Sequence, residues 1–331
     1  MDIVKELCVK SVAIFRVVVV GVEDEMIKIK PVGQVAVAAM NLRSKNATLD
    51  KVQIDILKQG NYTALSGKVV DISASLEAAV KGTVYYPGNR FRREGDPDIV
   101  PFHQIPLKTG NGITPTLEVT NETTAQAAVR LSALGKTDLV ALNFAAARNV
   151  GGGFLAGASA QEEDLCRCSG LYSCLKNKPL FYNENILAED TLYTDGVLYS
   201  PKVPFIRNEH LLFLESPFEL SILTAPAPNL TAMKAPKTWQ EDEELDSIIY
   251  HTLLHRATKV LQIAELHGHK NIILGAWGCG AFGNDSGQVA SAFAEALSKV
   301  PYFEHVCFAV YDTRQPPVLF EAFKDYFPEI M

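Results

Sequence analysis

The chain has 331 residues, with 31 Lys and Arg against 38 Asp and Glu, and a formal net charge of −7. Hydrophobic residues make up 47% and charged residues 21% of it, which is typical of a globular protein and excludes disordered and fibrous classes. At this length we expect one large elaborated domain or two smaller ones. The acidic balance argues against nucleic-acid binding through a broad basic face, so sequence-specific recognition of nucleic acid is not expected.

The cysteine count and the apolar runs favour a protein without a disulfide framework or a membrane span. Six cysteines are too sparse for such a framework, and the spacing of Cys166, Cys168 and Cys174 differs from common zinc motifs. The longest apolar run, Ser11–Val22, is interrupted by Arg16 and is too short to cross a bilayer. We therefore expect an intracellular protein, cytoplasmic or nuclear and not secreted, with no metal site and no membrane attachment.

The N-terminal third of the chain has weak patterns. Its β-branched runs predict short strands to which no chemistry is attached: Val17–Val20, Ile27–Ile29 and Val35–Val37. A helix is predicted next, with Asn46 before its first turn and Gly60 directly after its last residue, Gln59. Residues 83–115 contain clusters of Pro, Gly and charged residues that are typical of loops.

From about residue 116, strand and helix patterns alternate along the chain. The predicted strands are Leu117–Val119, Leu139–Ala145, Leu220–Thr224, Ile272–Ala276 and His305–Tyr311. The predicted helices run from the N-cap Asn121 to about Leu134, from Ala160 through Leu165, and over Glu241–His267, Ser286–Leu297 and Val318–Tyr326. Residues 186–218 are predicted as an insertion of turns and short strands. Repeated strand–loop–helix units predict an α/β core whose largely parallel sheet is covered on both faces.

The glycines are concentrated in two windows. Ten of the 22 glycines lie within residues 151–170 and 275–287, and the glycine-rich part of each window directly follows a predicted strand. Glycine is favoured where the backbone needs positive φ or approaches a ligand closely. Since ligands of open α/β sheets bind at the carboxyl ends of the strands, we expect the functional site at these two loops.

The second window has the features of an anion-binding loop. Gly278, Gly280 and Gly283 lie between a strand and a helix, where successive N–H groups and the helix N-terminus attract an anion. The Gly–Lys–Ser/Thr ending of a P-loop is missing, so magnesium-dependent triphosphate hydrolysis is not supported. A tight turn that binds no ligand is the alternative reading of this loop alone.

The first window combines three consecutive glycines with an acidic pair. Gly151–Gly153 follow a predicted strand, and Gln161–Glu163 open the helix that comes next, where the N-terminal amides favour carboxylates. Acidic first turns are common in helices that bind nothing, so the pair alone leaves a structural alternative open. The coincidence of triple glycine, acid pair and second glycine loop favours a binding or catalytic site.

Together these motifs resemble those of the microbial, bacterial-type poly(ADP-ribose) glycohydrolases, which are macrodomain proteins. The resemblance extends over about residues 45–327 and rests on Gly151–Gly153, Gln161–Glu163 and a diphosphate loop at 275–285. It implies a macrodomain-like three-layer α/β/α sandwich with a mixed, largely parallel sheet. In this picture residues 116–331 form the catalytic core with the insertion at 186–218, residues 45–115 a helical accessory region, and residues 1–44 an N-terminal extension. Val150 stands where proline is expected, and Ser159 where a basic residue is usual.

The resemblance implies hydrolysis of ribose–ribose O-glycosidic bonds in poly(ADP-ribose), with release of ADP-ribose and without a cofactor. It assigns the general acid/base to Glu163 and the positioning of the terminal ribose to Glu162. Neighbouring residues on a helix diverge by about 100°, which fits one proton-transferring and one orienting carboxylate better than a nucleophile–acid pair across a sugar. The other implied substrate-binding residues are Asn149, Gly151, Gly152, Gly153 and Gln161 near the ribose, and Gly278, Cys279, Gly280, Ala281 and Phe282 around the diphosphate.

Two alternative functions stay open at this point. The first is removal of single ADP-ribose units from modified protein or nucleic acid, and the second is a macrodomain that binds ADP-ribose without hydrolysing it. The intact pair of Glu162 and Glu163 favours an enzyme, because a binding module has no need of them.

Overall fold

The structure is a computed structural model that describes residues 6–8, 15–18, 29–31, 42–88, 114–208, 210–233 and 243–327. Near the N-terminus, Glu6–Cys8 (β1), Phe15–Val18 (β2) and Ile29–Pro31 (β3) form an antiparallel sheet. Two of the predicted strands overlap with β2 and β3, and Val35–Val37 lies outside the described residues.

The helix predicted after the first 45 residues is present but begins earlier. Helix α1 spans Leu42–Gln59, so Asn46 lies inside it rather than at its N-cap. The Asn46 side chain is buried, and its Nδ2 donates to the Gly157 carbonyl at 3.4 Å. The predicted N-cap is wrong because a tertiary contact engages this side chain. The hairpin of Asn61–Thr63 (β4) and Val69–Asp71 (β5) and helix α2 (Ser73–Gly82) follow.

A seven-stranded sheet forms the centre of the molecule. Its strands are Val84–Tyr86 (β6), Thr116–Thr120 (β7), Leu139–Phe144 (β8), Val197–Arg207 (β9), Phe213–Ala225 (β10), Asn271–Leu274 (β11) and His305–Ala309 (β12). Their order is β6-β9-β10-β8-β11-β12-β7. The last five strands in this order are parallel to one another, whereas β9 is antiparallel to both of its neighbours.

The segment 186–218 differs from the predicted turns and short strands. It contains the 11-residue strand β9 and the beginning of the 13-residue strand β10, which pair with each other inside the main sheet. Prolines make this stretch resemble loop sequence. Pro201 and Lys202 lie opposite the single residue Ser221, and such a bulge tolerates a proline because it interrupts the ladder of backbone hydrogen bonds.

Helices cover both faces of the sheet, which confirms the predicted three-layer fold. Beyond α1 and α2 they are Thr124–Ala133 (α3), Gln161–Cys168 (α4), Leu171–Lys176 (α5), Pro179–Leu187 (α6), Glu243–Leu266 (α7), Ser286–Lys299 (α8) and Val318–Tyr326 (α9). Val140 and Leu142 of β8 pack in the core beneath α7–α9, and Leu139 and Ala141 pack in the core beneath α2–α6. No helix in the described ranges is long and apolar enough to cross a membrane.

The N-cap of α3 is Thr123 rather than the predicted Asn121. The Thr123 hydroxyl accepts from the Gln126 backbone N–H, and the Gln126 side chain accepts from the Thr123 backbone N–H, which completes a capping box. The Asn121 side chain instead pairs with the backbone of Asp312, because β7 and β12 are neighbours in the sheet.

Candidate active site

The two glycine-rich loops lie side by side. They follow β8 and β11, which are adjacent and parallel, so both loops leave the same edge of the sheet. A cleft of about 450 Å³ lies between them, within the range of small-molecule sites. Acidic residues of α4 line it together with the second loop, the start of α3 and the residues that follow β12.

Gln161 fixes the start of α4 to the end of β8. Its Oε1 accepts from the Phe144 N–H at 2.9 Å, and its Nε2 donates to the Leu142 carbonyl at 2.7 Å and to Thr124 Oγ1 at 3.0 Å. Protein groups therefore engage both ends of the amide, which positions the acid pair. A direct contact between Gln161 and substrate stays a prediction.

Glu162 is almost fully buried at the base of the cleft, with 2% of its surface exposed. Its Oε1 accepts from Asn143 Nδ2 at 3.1 Å, and its Oε2 accepts from the Ala146 N–H at 2.8 Å. Burial raises the pKa of this carboxyl to about 8, although both hydrogen bonds oppose that shift. Sequence reasoning missed the role of Asn143, whose signal is a single polar side chain within an apolar strand.

Glu163 lies against the triple glycine. Its Oε1 accepts from the Gly153 N–H at 2.7 Å, and the side chain lines the cleft. The preceding Gly152 has φ 60°, and a Cβ atom there would collide with Glu163 Oε1 and lie 3.2 Å from Glu162 Oε2. The two halves of the motif therefore form one unit, because the acid pair approaches the loop too closely for any side chain at position 152.

The part of the second loop that lines the cleft has backbone amides without acceptors. The N–H groups of Gly278, Gly280, Ala281 and Phe282 have no hydrogen-bond acceptor among the described residues. The loop is held in shape by Asn284, whose backbone N–H donates to the Gly278 carbonyl and whose Nδ2 donates to the Pro228 carbonyl. Such a cluster of N–H groups can bind an anion although the groups themselves carry no formal charge.

The ionisable residues that line the cleft are acidic. Among the described residues that line it, three carry carboxyl groups and none is Lys, Arg or His. Burial also raises the pKa of Asp164, the third of these acids. An anionic ligand would thus depend on the amides of the second loop. No group of three or more His, Cys, Asp or Glu suited to a metal ion occurs in the described ranges.

Not every predicted site residue lines the cleft. Those that do are Gln161, Glu162, Glu163, Gly278, Gly280, Ala281 and Phe282. Asn149, Gly151, Gly152, Gly153 and Cys279 are not part of its wall. Gly152 and Gly153 contact Glu163. Cys279 packs against the apolar core, where burial raises the pKa of its thiol to about 12. Contacts of these five residues with substrate stay predictions.

Sequence reasoning also missed several residues of the cleft wall. They are mostly contributed by elements next to the two loops: Thr123, Thr124, Phe144, Ala146, Ala309, Val310, Tyr311 and Leu319. The rule that ligands bind at the carboxyl ends of parallel strands, applied to the predicted strand His305–Tyr311, would have found Val310 and Tyr311.

Comparison with known proteins identifies the family. The fold and the cleft are those of a macrodomain with an acid pair. The model of one family, described as "microbial-type PARG, catalytic domain", matches residues 51–208. Poly(ADP-ribose) glycohydrolase (PARG) from Thermomonospora curvata is 38% identical over 86% of this chain and 100% of that chain, with a TM-score of 0.75. PARG from Deinococcus radiodurans, in complex with ADP-ribose, is 38% identical over 77% of this chain and 98% of that chain, with a TM-score of 0.65. A search of curated proteins finds no match.

The chain therefore belongs to the microbial-type poly(ADP-ribose) glycohydrolase family and has its macrodomain-like fold. A further structure of the Thermomonospora protein is bound to the inhibitor ADP-HPD and has a TM-score of 0.74 with this chain. The resemblance drawn from the two motifs is confirmed.

Proposed function

We propose that this protein hydrolyses poly(ADP-ribose) and releases ADP-ribose, with Glu163 as general acid and base. The observation that carries the proposal is the placement of a fixed acid pair opposite an amide-rich loop in one cleft. The cleft thus combines groups for proton transfer with groups for binding a diphosphate. Family membership and the ADP-ribose complex of the Deinococcus protein support the choice of substrate.

In this mechanism the second loop binds the diphosphate, and the acid pair of α4 acts on the ribose. The amides of Gly278 and of residues 280–282 bind the diphosphate of the terminal ADP-ribose, and Phe282 packs on a ribose. Glu162 forms a hydrogen bond with the terminal ribose and holds its anomeric carbon near Glu163. Because Glu163 Oε1 is already engaged by the Gly153 N–H, the proton is transferred from Oε2.

The reaction then proceeds in two halves. Glu163 donates its proton to the departing ribose oxygen as the glycosidic bond breaks and an oxocarbenium-like centre develops. The resulting carboxylate accepts a proton from a water molecule, whose oxygen bonds to the anomeric carbon. Glu163 is protonated again at the end, and no metal takes part.

The test is to incubate the protein with poly(ADP-ribose), with mono-ADP-ribosylated protein and with mono-ADP-ribosylated DNA, and to identify the products by mass. Release of ADP-ribose from the polymer is expected. Release from only the mono-modified substrates would favour the alternative hydrolase, and binding without release would favour a binding module.

The matched variant is Glu163→Gln, which keeps the size of the side chain and removes its acid/base function. We expect turnover to fall by about 10²–10⁴-fold, while binding of ADP-ribose, measured by calorimetry, persists. Turnover at the wild-type rate would contradict the assignment of Glu163.

A further inference from the structure

Helix α1 buries polar side chains where an amphipathic helix normally buries apolar ones. Arg43, Asn46, Asp50 and Gln53 are spaced by three or four residues and therefore share one face, which we call the α1 polar stripe. Asn46, Asp50 and Gln53 are each at most 5% exposed. Buried polar groups need partners, so the stripe has to be matched by groups on the surface that it covers.

These partners belong largely to the loop that joins the triple glycine to α4. Arg43 Nε donates to the Ala156 carbonyl at 3.0 Å, and Asn46 Nδ2 donates to the Gly157 carbonyl at 3.4 Å. The next carbonyl, that of Ala158, accepts from Arg167 Nη2 at 2.9 Å. Three successive carbonyls of residues 153–158, which we call the acid-pair loop, are thus held in place by side chains.

Asp50 connects the stripe to the helix that carries the acid pair. Its Oδ1 accepts from Arg167 Nε at 2.7 Å, and the side chains of Asp50 and Arg167 are 1% and 2% exposed. Arg167 lies four residues after Glu163 on α4. Gln53 extends the contact, because its Nε2 donates to the carbonyl of Ser169, just beyond α4.

The backbone of α1 itself touches the acid-pair loop. Gly157 has φ 72°, and a Cβ atom there would collide with the Arg43 carbonyl oxygen and lie 2.7 Å from the Ala47 nitrogen. A loop that packs this closely against a helix is shaped by that helix.

We propose that the α1 polar stripe, acting through Arg167 and the acid-pair loop, positions Glu163 for proton transfer. The loop begins with Gly153, whose N–H holds Glu163 Oε1, and Arg167 ties the loop to α4. Replacing a buried ion pair by apolar side chains is often neutral or stabilising, so the presence of this pair favours a geometric role. The inference rests on the proposed function of Glu163.

The test compares two Asp→Asn variants, each of which removes the charge opposite a buried arginine. Asp50→Asn neutralises the partner of Arg167, and Asp195→Asn neutralises the partner of Arg256, which is also 2% exposed and also bonds its aspartate at 2.7 Å. Arg256 donates to the carbonyls of Pro226 and Tyr193 and not to the acid-pair loop. The number of competent sites in each variant is titrated with ADP-ribose by calorimetry, so that loss of folded protein is separated from loss of catalysis.

Asp50→Asn is expected to lower kcat per titrated site at least 10-fold with less than a 3-fold change in KM, while Asp195→Asn keeps kcat per site within 3-fold. Hydrogen–deuterium exchange of a peptide covering 151–160 is expected to quicken in Asp50→Asn and not in Asp195→Asn. If wild-type protein releases no ADP-ribose from any substrate, the proposed function fails, and the exchange experiment still decides whether the stripe orders the loop.

A second variant tests the proposal if Asp50→Asn does not fold. Arg43→Met removes the bond to the Ala156 carbonyl from an exposed position, and a 3- to 10-fold loss of kcat per site is expected. The proposal is overturned if Asp50→Asn and Arg43→Met keep wild-type kcat per site, or if loop exchange is unchanged in both.

Discussion

The buried carboxyl of Glu162 leads to a prediction about stability and pH. Its pKa is about 8 in the folded protein, compared with 4.5 for an ordinary glutamate. Between these values the folded protein keeps a proton that the unfolded chain has lost, so the free energy of unfolding falls as the pH rises from 4.5 to 8. At 1.36 kcal/mol per pKa unit the contribution of this residue is on the order of 5 kcal/mol.

Glu162→Gln removes this titration while keeping the shape of the side chain. The variant and the wild type are expected to have similar stability near pH 5, and the variant gains several kcal/mol relative to the wild type by pH 8. The assay is urea unfolding of both proteins at pH 5, 6.5 and 8, because the difference between them cancels the contributions of groups that titrate equally in both.

A control variant has the opposite shift. Hydrogen bonds from Ser73 lower the pKa of the exposed Asp71, so its folded and unfolded pKa values both lie below 5. The stability difference between Asp71→Asn and the wild type should therefore stay constant from pH 5 to 8. A difference for Glu162→Gln that is equally constant would refute the reasoning and mean that the Asn143 and Ala146 donors outweigh burial.

Two further predictions concern the loops. Gly152→Ala places a Cβ atom against Glu163 at φ 60° and should lower kcat/KM at least 100-fold. Gly67→Ala, at φ 87° with no neighbour within 4 Å, adds only the backbone strain and should leave activity unchanged. Equal activity loss in both would contradict a specific clash. No Lys, Arg or His among the described residues lines the cleft, so the Kd of ADP-ribose should change less than 3-fold between 50 and 200 mM salt. A steep salt dependence would instead indicate that ADP-ribose binds to Lys or Arg.

Much of the local structure was predictable from the sequence. Most of the helices and parallel strands after residue 116 follow from hydrophobic periodicity, and Gly135 and Gly268 follow helices at φ 83° and 81°. The acid pair and the glycines that approach it are close together in the chain, so the sequence alone was enough to recognise them as one motif. Their meeting at one cleft also followed from the rule for strand ends, because both loops leave parallel strands.

Other features depend on which elements become neighbours in space. The main-sheet strand β9 contains prolines that resemble loop sequence, and Pro201 is tolerated because it lies at a bulge. Asn46 was misassigned because its partner, Gly157, is 111 residues away. The role of Asn143 requires that α4 pack over the end of β8.

The sequence by itself therefore determined the fold class, the family and the acid pair, since these are encoded in periodicity and in short motifs. Only the tertiary structure decided which surface holds that pair in place. The reason is that the polar stripe of α1 has no local signature: its buried Asp50 and Gln53 are tolerated only because Arg167 and the backbone of Ser169 lie opposite them.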